Sequence, residues 1–268
     1  MNLLLEPNKK IYFASDLHLM MAPDEASRRR EQDFVQWLDR IKNDAVAIFL
    51  LGDMFDFWFE YRYVIPRGFV RFFGKLAELT ESGIPIHFFV GNHDLWMHDY
   101  LNIEMNIQIY HQPAEFEING KLFLIGHGDD IGPESYTDRV QNFIFRNRLL
   151  RVLYGSLHPR WGISLGRNWS INNRKRNGLI TPYKGLEREF IFQYAEKTLA
   201  VKHYDFFVFA HRHLAMDIRL NENSRYVNIG EWLETQTYAV FDGNDVTLHS
   251  TKGEMDFLRL SSTGYQNT

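Results

Sequence analysis

The sequence predicts an α/β fold: a parallel sheet laid down first, with a second, hairpin-rich sheet packed on it. Three observations carry this. As far as Val90, apolar runs of strand length alternate with amphipathic stretches of helix length. Each of those runs ends directly on a polar residue or a glycine. Beyond Pro113, hairpin signals replace the alternation. Hydrophobic residues make up 45% of 268, enough for one substantial core, so residues 1–268 read as a single domain.

In order, Lys10 to Ser15 reads as a buried strand delivering Asp16. Ser27 to Asn43 carries Phe34, Trp37, Leu38 and Ile41 at helical spacing. Ala45 to Leu51 is a continuous apolar strand ending at Gly52-Asp53. Gly68 to Ser82 is a second amphipathic helix, closed by Gly83 and Pro85. Ile86 to Val90 is a third strand, ending at Gly91-Asn92. Ala114 to Ile118 and Lys121 to Ile125 flank Asn119-Gly120, a hairpin turn, and the second strand delivers Gly126-His127. Phe206 to Phe209 delivers Ala210-His211-Arg212-His213. Strands follow at Ala215 to Leu220, Arg225 to Ile229, Thr237 to Phe241 and Val246 to Ser250, and the tail after Leu260 reads as frayed.

The stretch 131–186 differs from both halves. It reads as a helical insertion, a cap with an apolar side and a cationic side, placed by its position after His127 to roof that loop. From Arg139 to Leu186 there are ten Lys/Arg and no Asp/Glu, which leaves 20 basic and 34 acidic residues elsewhere, a net of −14. Such a block suits an anionic partner such as phosphate, nucleic acid or an acidic membrane surface, or else a solvated helix face. Among it stand Leu149, Leu150, Val152, Leu153, Trp161, Leu165 and Trp169.

There is no cysteine, so disulfides and thiolate metal sites are excluded. The run Leu3-Leu4-Leu5 is too short for a signal peptide, and the longest apolar run falls well short of the roughly 18 residues of a membrane span. The expected location is cytoplasmic.

Five blocks carry chemistry: Asp16-Leu17-His18, Gly52-Asp53, Gly91-Asn92-His93-Asp94, Gly126-His127-Gly128 and His211-Arg212-His213. Together they supply nitrogen and oxygen ligands for two divalent metals, a centre suited to hydrolysing phosphate esters. Asp16 and His18 are one residue apart, so on an extended strand end both side chains point the same way, as do His211 and His213. Asp53, at the end of a buried strand, is costly unless paired or metal-bound and is suited to bridge two metals. Asn92 offers a neutral oxygen. His93 is then free to face substrate, and Asp94 is placed to orient His93 or to cap the following turn. Asp56 reads as a support behind the ligands or as a helix cap.

These blocks resemble the calcineurin-like metallophosphoesterase superfamily, with Ala210 in place of the usual glycine before His211. The resemblance implies a four-layer sandwich, two mixed β-sheets flanked by helices. It implies that Asp16, His18, Asp53 and His213 hold one metal, and that Asp53, Asn92, His127 and His211 hold the other. Manganese is the expected metal, with iron and zinc as alternatives. His93 would give a proton or hydrogen bond during in-line attack on phosphorus.

Within the superfamily the chain is similar to the UDP-2,3-diacylglucosamine pyrophosphatases of lipid A synthesis. The similarity lies in Ser15-Asp16-Leu17-His18-Leu19, the His127-Gly128-Asp129 loop, the segment Phe145-Arg146-Asn147-Arg148-Leu149-Leu150, and Gly230-Glu231-Trp232. It departs from them at His93, where those enzymes usually carry arginine, and so reads as a divergent branch. The expected reaction converts UDP-2,3-diacylglucosamine to UMP and 2,3-diacylglucosamine 1-phosphate. Arg146, Arg148, Arg151 and Asp129 are the expected substrate-binding residues, with a peripheral contact to the inner membrane face. A phosphomonoester, nucleotide phosphodiester or nucleic acid is the alternative substrate; the apolar density of the insertion speaks against nucleic acid. A non-catalytic scaffold is the second alternative, disfavoured because every ligand position is filled.

Overall fold

The computed structural model describes residues 2–131, 147–177 and 182–261. The first half contains β1 (Asn2–Leu3), β2 (Lys10–Ala14), α1 (Glu25–Ile41), β3 (Ala45–Leu51), α2 (Val70–Glu81), β4 (Ile86–Phe89), α3 (Tyr100–Met105) and β5 (Gln108–Tyr110). Then come β6 (Ala114–Ile118), β7 (Lys121–Ile125), α4 (Arg148–Gly155), α5 (Pro159–Asn177) and α6 (Phe190–Leu199). Six strands follow: β8 (Phe206–Phe209), β9 (Ala215–Arg219), β10 (Arg225–Ile229), β11 (Thr237–Phe241), β12 (Val246–Ser250) and, at the edge, β13 (Leu258–Ser261).

Two mixed sheets result. One runs β12-β11-β2-β3-β4-β5, the other β1-β6-β7-β8-β10-β9-β13. In the first, β2 to β5 are parallel neighbours and β11 is antiparallel to β2 and β12. In the second, β7, β8 and β10 are parallel, and the β6–β7 hairpin turns at Asn119-Gly120.

The two-residue period of a strand explains the layers. Ile11 and Phe13 of β2 face the space between the sheets, with Phe49 of β3, Phe123 of β7 and Val208 of β8. Tyr12 and Ala14 face outward, under Phe34, Trp37 and Leu38 of α1 and Phe72 and Leu76 of α2. On the other side Phe207 and Phe209 of β8 pack under Ile191, Phe192 and Ala195 of α6. The order is helices, sheet, sheet, helix, as expected for the four-layer sandwich.

Helix α1 begins two residues before the expected Ser27, because the Asp24 carboxylate accepts the Ser27 amide at 2.8 Å and caps it. Strand β13 reaches Ser261, past Leu260, by pairing in parallel with β9; the remainder of the expected frayed tail lies outside the described residues. In the insertion, α4 and α5 form a pair that rests on an aromatic ridge. Tyr154 lies 4.8 Å from the Phe59 ring and 4.7 Å from Trp96. Gly162 and Gly166 let α5 approach closely, since a Cβ there would collide with Tyr61 and Phe57. Among the described residues no helix is long and apolar enough to cross a membrane.

Candidate metal centre

The predicted ligands leave the sheets at the carboxyl ends of β2, β3, β4, β7 and β8, where open parallel sheets place their ligands. Both sheets contribute: Asp16, His18, Asp53 and Asn92 follow strands of one, and His127, His211 and His213 follow strands of the other.

The local backbone is not the extended strand end expected at Asp16-x-His18 and His211-x-His213. Strand β2 stops at Ala14, and Asp16 (φ 53°), His18 (44°), His211 (66°) and His213 (53°) all adopt the left-handed conformation, as does Asp53 (53°). Five of the ten non-glycine residues with positive φ among the described residues are thus candidate ligands. Each costs on the order of 1–2 kcal/mol, a strain that collects at functional sites. The paired side chains still converge, but through the tight turns and not through the two-residue strand period.

Neighbouring strands hold these turns open. The amides of Asp16 and His18 donate to the Gly52 and Asp53 carbonyls at 3.0 and 2.9 Å, and the Ala210 amide donates to the His127 carbonyl at 3.0 Å. Arg30 of α1 donates from Nε to the Leu17 carbonyl at 2.7 Å and from Nη2 to that of His18 at 3.0 Å. The Asn228 amide donates to the Ala210 carbonyl at 2.7 Å. Gly91 provides clearance, because a Cβ there would come within 2.8 Å of His127 Nε2 and closer still to Asp53 Oδ1.

Two ligand groups result. Asp16, His18 and His213 form the first, with His213 Nε2 2.9 Å from Asp16 Oδ1 and 3.3 Å from His18 Nε2. Asp53, His127 and His211 form the second, with His211 Nδ1 3.2 Å from His127 Nε2. Asp53 Oδ2 lies between them, 3.8 Å from His18 Nε2 and 3.6 Å from His127 Nε2. A third convergence joins His18, Asp56 and His93.

The donor set fits divalent metal ions. Asn92 Oδ1 is buried without a hydrogen-bond partner, a cost that a cation within its reach would remove. His127 Nδ1 donates to the Leu51 carbonyl at 2.6 Å, which leaves Nε2, on the Asp53 side, as the ring nitrogen that would ligate a metal once it gives up its proton. Nitrogen and oxygen donors of this kind suit first-row divalent ions.

Charge is strongly redistributed here. Burial works against the Asp53 carboxylate, but the His127 and His93 imidazoles outweigh it and hold its carboxyl well below the usual range. Burial likewise opposes a charged His127, and Asp53 reverses this and raises it well above an ordinary imidazole. Burial, reinforced by His127, pushes His211 down to about 4, so it stands neutral as a ligand must.

His93 is buried and donates from Nδ1 to the Asp56 carbonyl at 2.7 Å, so Nε2 is the ring atom left to meet a substrate. Its ring lies edge-on to that of His18, with centroids 4.8 Å apart. Asp94, expected to orient His93 or to cap a turn, has a different set of partners. Its carboxylate accepts the Gly91 amide at one oxygen, 2.6 Å, and the Met54 amide at the other, 3.0 Å, tying the β3 and β4 loops together. Burial and then Asp53 raise it to about 7. The role expected of Asp94 toward His93 is filled by the main chain of Asp56.

Of the expected substrate-binding residues, Arg146 lies outside the described residues. Arg148 is exposed at the start of α4, and Arg151 is half-buried. Arg151 adds to burial in lowering the imidazoles of His98 and His111. Asp129 follows the His127 loop, and burial raises its carboxyl. Sequence reasoning missed Arg30 and the Asp56 carbonyl. It also missed Trp169 of α5 as a neighbour of His93, with ring centroids 5.8 Å apart.

A family model described as calcineurin-like phosphoesterase matches residues 9–215. The UDP-2,3-diacylglucosamine hydrolase of Porphyromonas gingivalis is 42% identical over 259 residues, covering 90% of this chain and 97% of that one. The enzyme of the same name from Vibrio vulnificus is 29% identical over 119 residues, which spans 44% of this chain and 47% of that one. Among solved structures, Vps29 of Chaetomium thermophilum superposes with a TM-score of 0.43 at 10% identity, covering 90% of this chain and 85% of that one.

Proposed function

This chain belongs to the calcineurin-like phosphoesterase family and is a hydrolase, and from that premise we propose that it holds two divalent metals, manganese foremost, and hydrolyses UDP-2,3-diacylglucosamine to UMP and 2,3-diacylglucosamine 1-phosphate. The observation that carries the two-metal reading is Asp53 Oδ2, within 4 Å of an imidazole nitrogen from each ligand group. On this reading Asp53 would serve both metals. Asp16, His18 and His213 would hold one of them, and Asn92, His127 and His211 the other.

Metals bound there would neutralise phosphoryl charge and activate water. The chain's own residues do the rest. His93, fixed through Nδ1, presents Nε2 to a phosphoryl oxygen or to the leaving group as a hydrogen-bond or proton donor. Asp94 keeps the β3 and β4 loops at a fixed separation, so that Asp53 and His93 stay in register with each other. Water adds to phosphorus, the bridging P–O bond breaks, and the departing phosphate leaves with the sugar.

The substrate follows from the Porphyromonas relative, which aligns over nearly its whole length, and from the character of residues 131–186. That segment acts as a cap. Its α5 reaches the site, since Trp169 neighbours His93. Its outer face carries Leu149, Val152, Leu153, Trp161 and Leu165, all at 56–66% exposure, beside the exposed Arg148, Arg160 and Arg167. An apolar and cationic face of this kind suits a lipid-linked anionic substrate and a peripheral contact with an anionic leaflet on the cytoplasmic side. Arg146, Arg148, Arg151 and Asp129 are the candidates for the diphosphate and sugar.

The test is incubation with UDP-2,3-diacylglucosamine and Mn²⁺ in ¹⁸O-water, read by mass spectrometry. Labelled UMP is the expected product. Turnover of simple phosphodiesters with none of the lipid would transfer the chain to another phosphoester substrate. No metal uptake and no turnover of either would leave only the fold.

A further inference from the structure

The residue between the two candidate ligands of the β8 loop, Arg212, points away from the metal centre into a built contact. Its guanidinium donates from Nε to Glu189 Oε2 at 2.7 Å and from Nη2 to Glu189 Oε1 at 2.9 Å. Nη2 also donates to the Pro182 carbonyl at 3.1 Å. Glu189 is 3% exposed and stands immediately before α6; Pro182 lies where the chain returns from α5. A forked guanidinium–carboxylate pair fixes both distance and plane, which an ammonium cannot do.

The position of this pair gives it a purpose. His211 and His213 both sit in left-handed backbone, and such turns hold only when the surroundings over-determine them. Around this loop the restraints on the main chain are the Ala210 contacts on one side and the Asp16 carboxylate, which accepts the His211 amide at 3.3 Å. At the middle residue the Arg212 amide closes a turn to the Ala210 carbonyl at 2.7 Å, and the side chain adds the fork to Glu189 and the contact to Pro182. The anchor is a carboxylate on the segment that leaves the helical pair, so the fork ties that segment to two ligands at once.

We propose that Glu189 and Arg212 are positioning residues for the metal centre: their fork fastens the His211–His213 turn to the chain returning from the α4–α5 pair, and metal affinity depends on it. The inference rests on the metal reading of the site and not on the identity of the substrate. Supports that orient metal ligands are worth on the order of 10–100-fold in metal affinity.

The test is Mn²⁺ and Zn²⁺ binding to the full-length metal-free protein, by competition against a chelating dye, with the melting temperature of the metal-free protein measured in parallel. Glu189→Gln keeps the shape and removes the charge. The expected result is metal binding at least 10-fold weaker than wild type, with the variant still folded. Arg212→Lys keeps the charge and loses the fork, and is expected to weaken binding comparably. Should Glu189→Gln not fold, Arg212→Lys decides the matter. A lowered melting temperature with wild-type metal affinity would make the pair a stability contact only and overturn the proposal. If the wild-type protein itself took up no metal, the reading of the centre would fail, which is a different outcome from equal binding by wild type and variant.

Discussion

Gly91→Ala isolates the geometry of the metal centre from its chemistry. Gly91 does not have a positive φ, so alanine meets no backbone penalty there. What it meets is space. The new Cβ would sit 2.8 Å from the Asp53 amide nitrogen and 2.8 Å from His127 Nε2, and nearer still to Asp53 Oδ1. To restore ordinary contact, the Asp53 carboxylate must retreat by about 1 Å, and a displacement of that size in a reacting constellation costs about 100-fold in rate. That is roughly 2.7 kcal/mol of lost transition-state stabilisation. Overpacking should also lower stability by about 1–3 kcal/mol. Gly74→Ala is the matched control: it lies in α2 with nothing within 4 Å of its Cβ, so helix propensity alone should stabilise by about 1 kcal/mol. The assay is metal stoichiometry and phosphodiester turnover for both variants, beside their denaturant midpoints. Wild-type metal affinity and turnover in Gly91→Ala would refute the claim that the Asp53–His127 spacing is set by this clearance.

Asp53→Asn should lose both metal occupancy and activity while remaining folded, read by elemental analysis and circular dichroism; full activity would end the bridging assignment. Divalent metal should stabilise the fold by about 2.7 kcal/mol at a free concentration 100 times Kd, read as a concentration-dependent rise in melting temperature that chelator reverses. His87 supplies a pH dependence far from the centre. It is buried against Phe49, with Nδ1 3.0 Å from the Tyr110 hydroxyl, and burial pushes it from 6.5 down to about 4. The folded state resists the proton that the unfolded state accepts, so its contribution is complete above pH 6.5 and is lost as pH falls toward 4. The loss reaches about 3 kcal/mol. His87→Phe should therefore gain on wild type progressively between pH 6.5 and 4 in urea melts; a constant difference across that range would rule this out.

Much of the fold could be read in advance because its strands are either continuous apolar runs or segments flanking a clear hairpin turn. Ala45–Leu51, Ala114–Ile118, Lys121–Ile125 and Phe206–Phe209 fall where the sequence places them. The elements missed are short or at edges. Strand β1 has two residues, β5 three and α3 six, too few for a period to show. Strand β13 is half-buried and stands by its pairing with β9, which local composition does not encode. Helix α6, absent from the expected elements, carries Ile191, Phe192 and Ala195 at helical spacing, a signal the sequence does contain. At the centre, residue identity marked the candidate ligands, and their backbone geometry differs from the expectation: the turns are left-handed where extended backbone was expected. The support of His93 was hidden for a simpler reason. Its partner is a main-chain carbonyl, and every residue has one.

Each ligand group draws on both halves of the sandwich: Asp16 and His18 meet His213, and Asp53 meets His127 and His211. Coordination at these points would act as a rivet through the open end of the two sheets. Sliding one sheet over the other, or peeling them apart from that end, would first require metal–ligand bonds to break. With metal bound, the lifetime of the native state would then follow the rate of metal release instead of the strength of the apolar layer between the sheets. Resistance to proteases and to slow heating would track metal supply even where the equilibrium midpoint changes little.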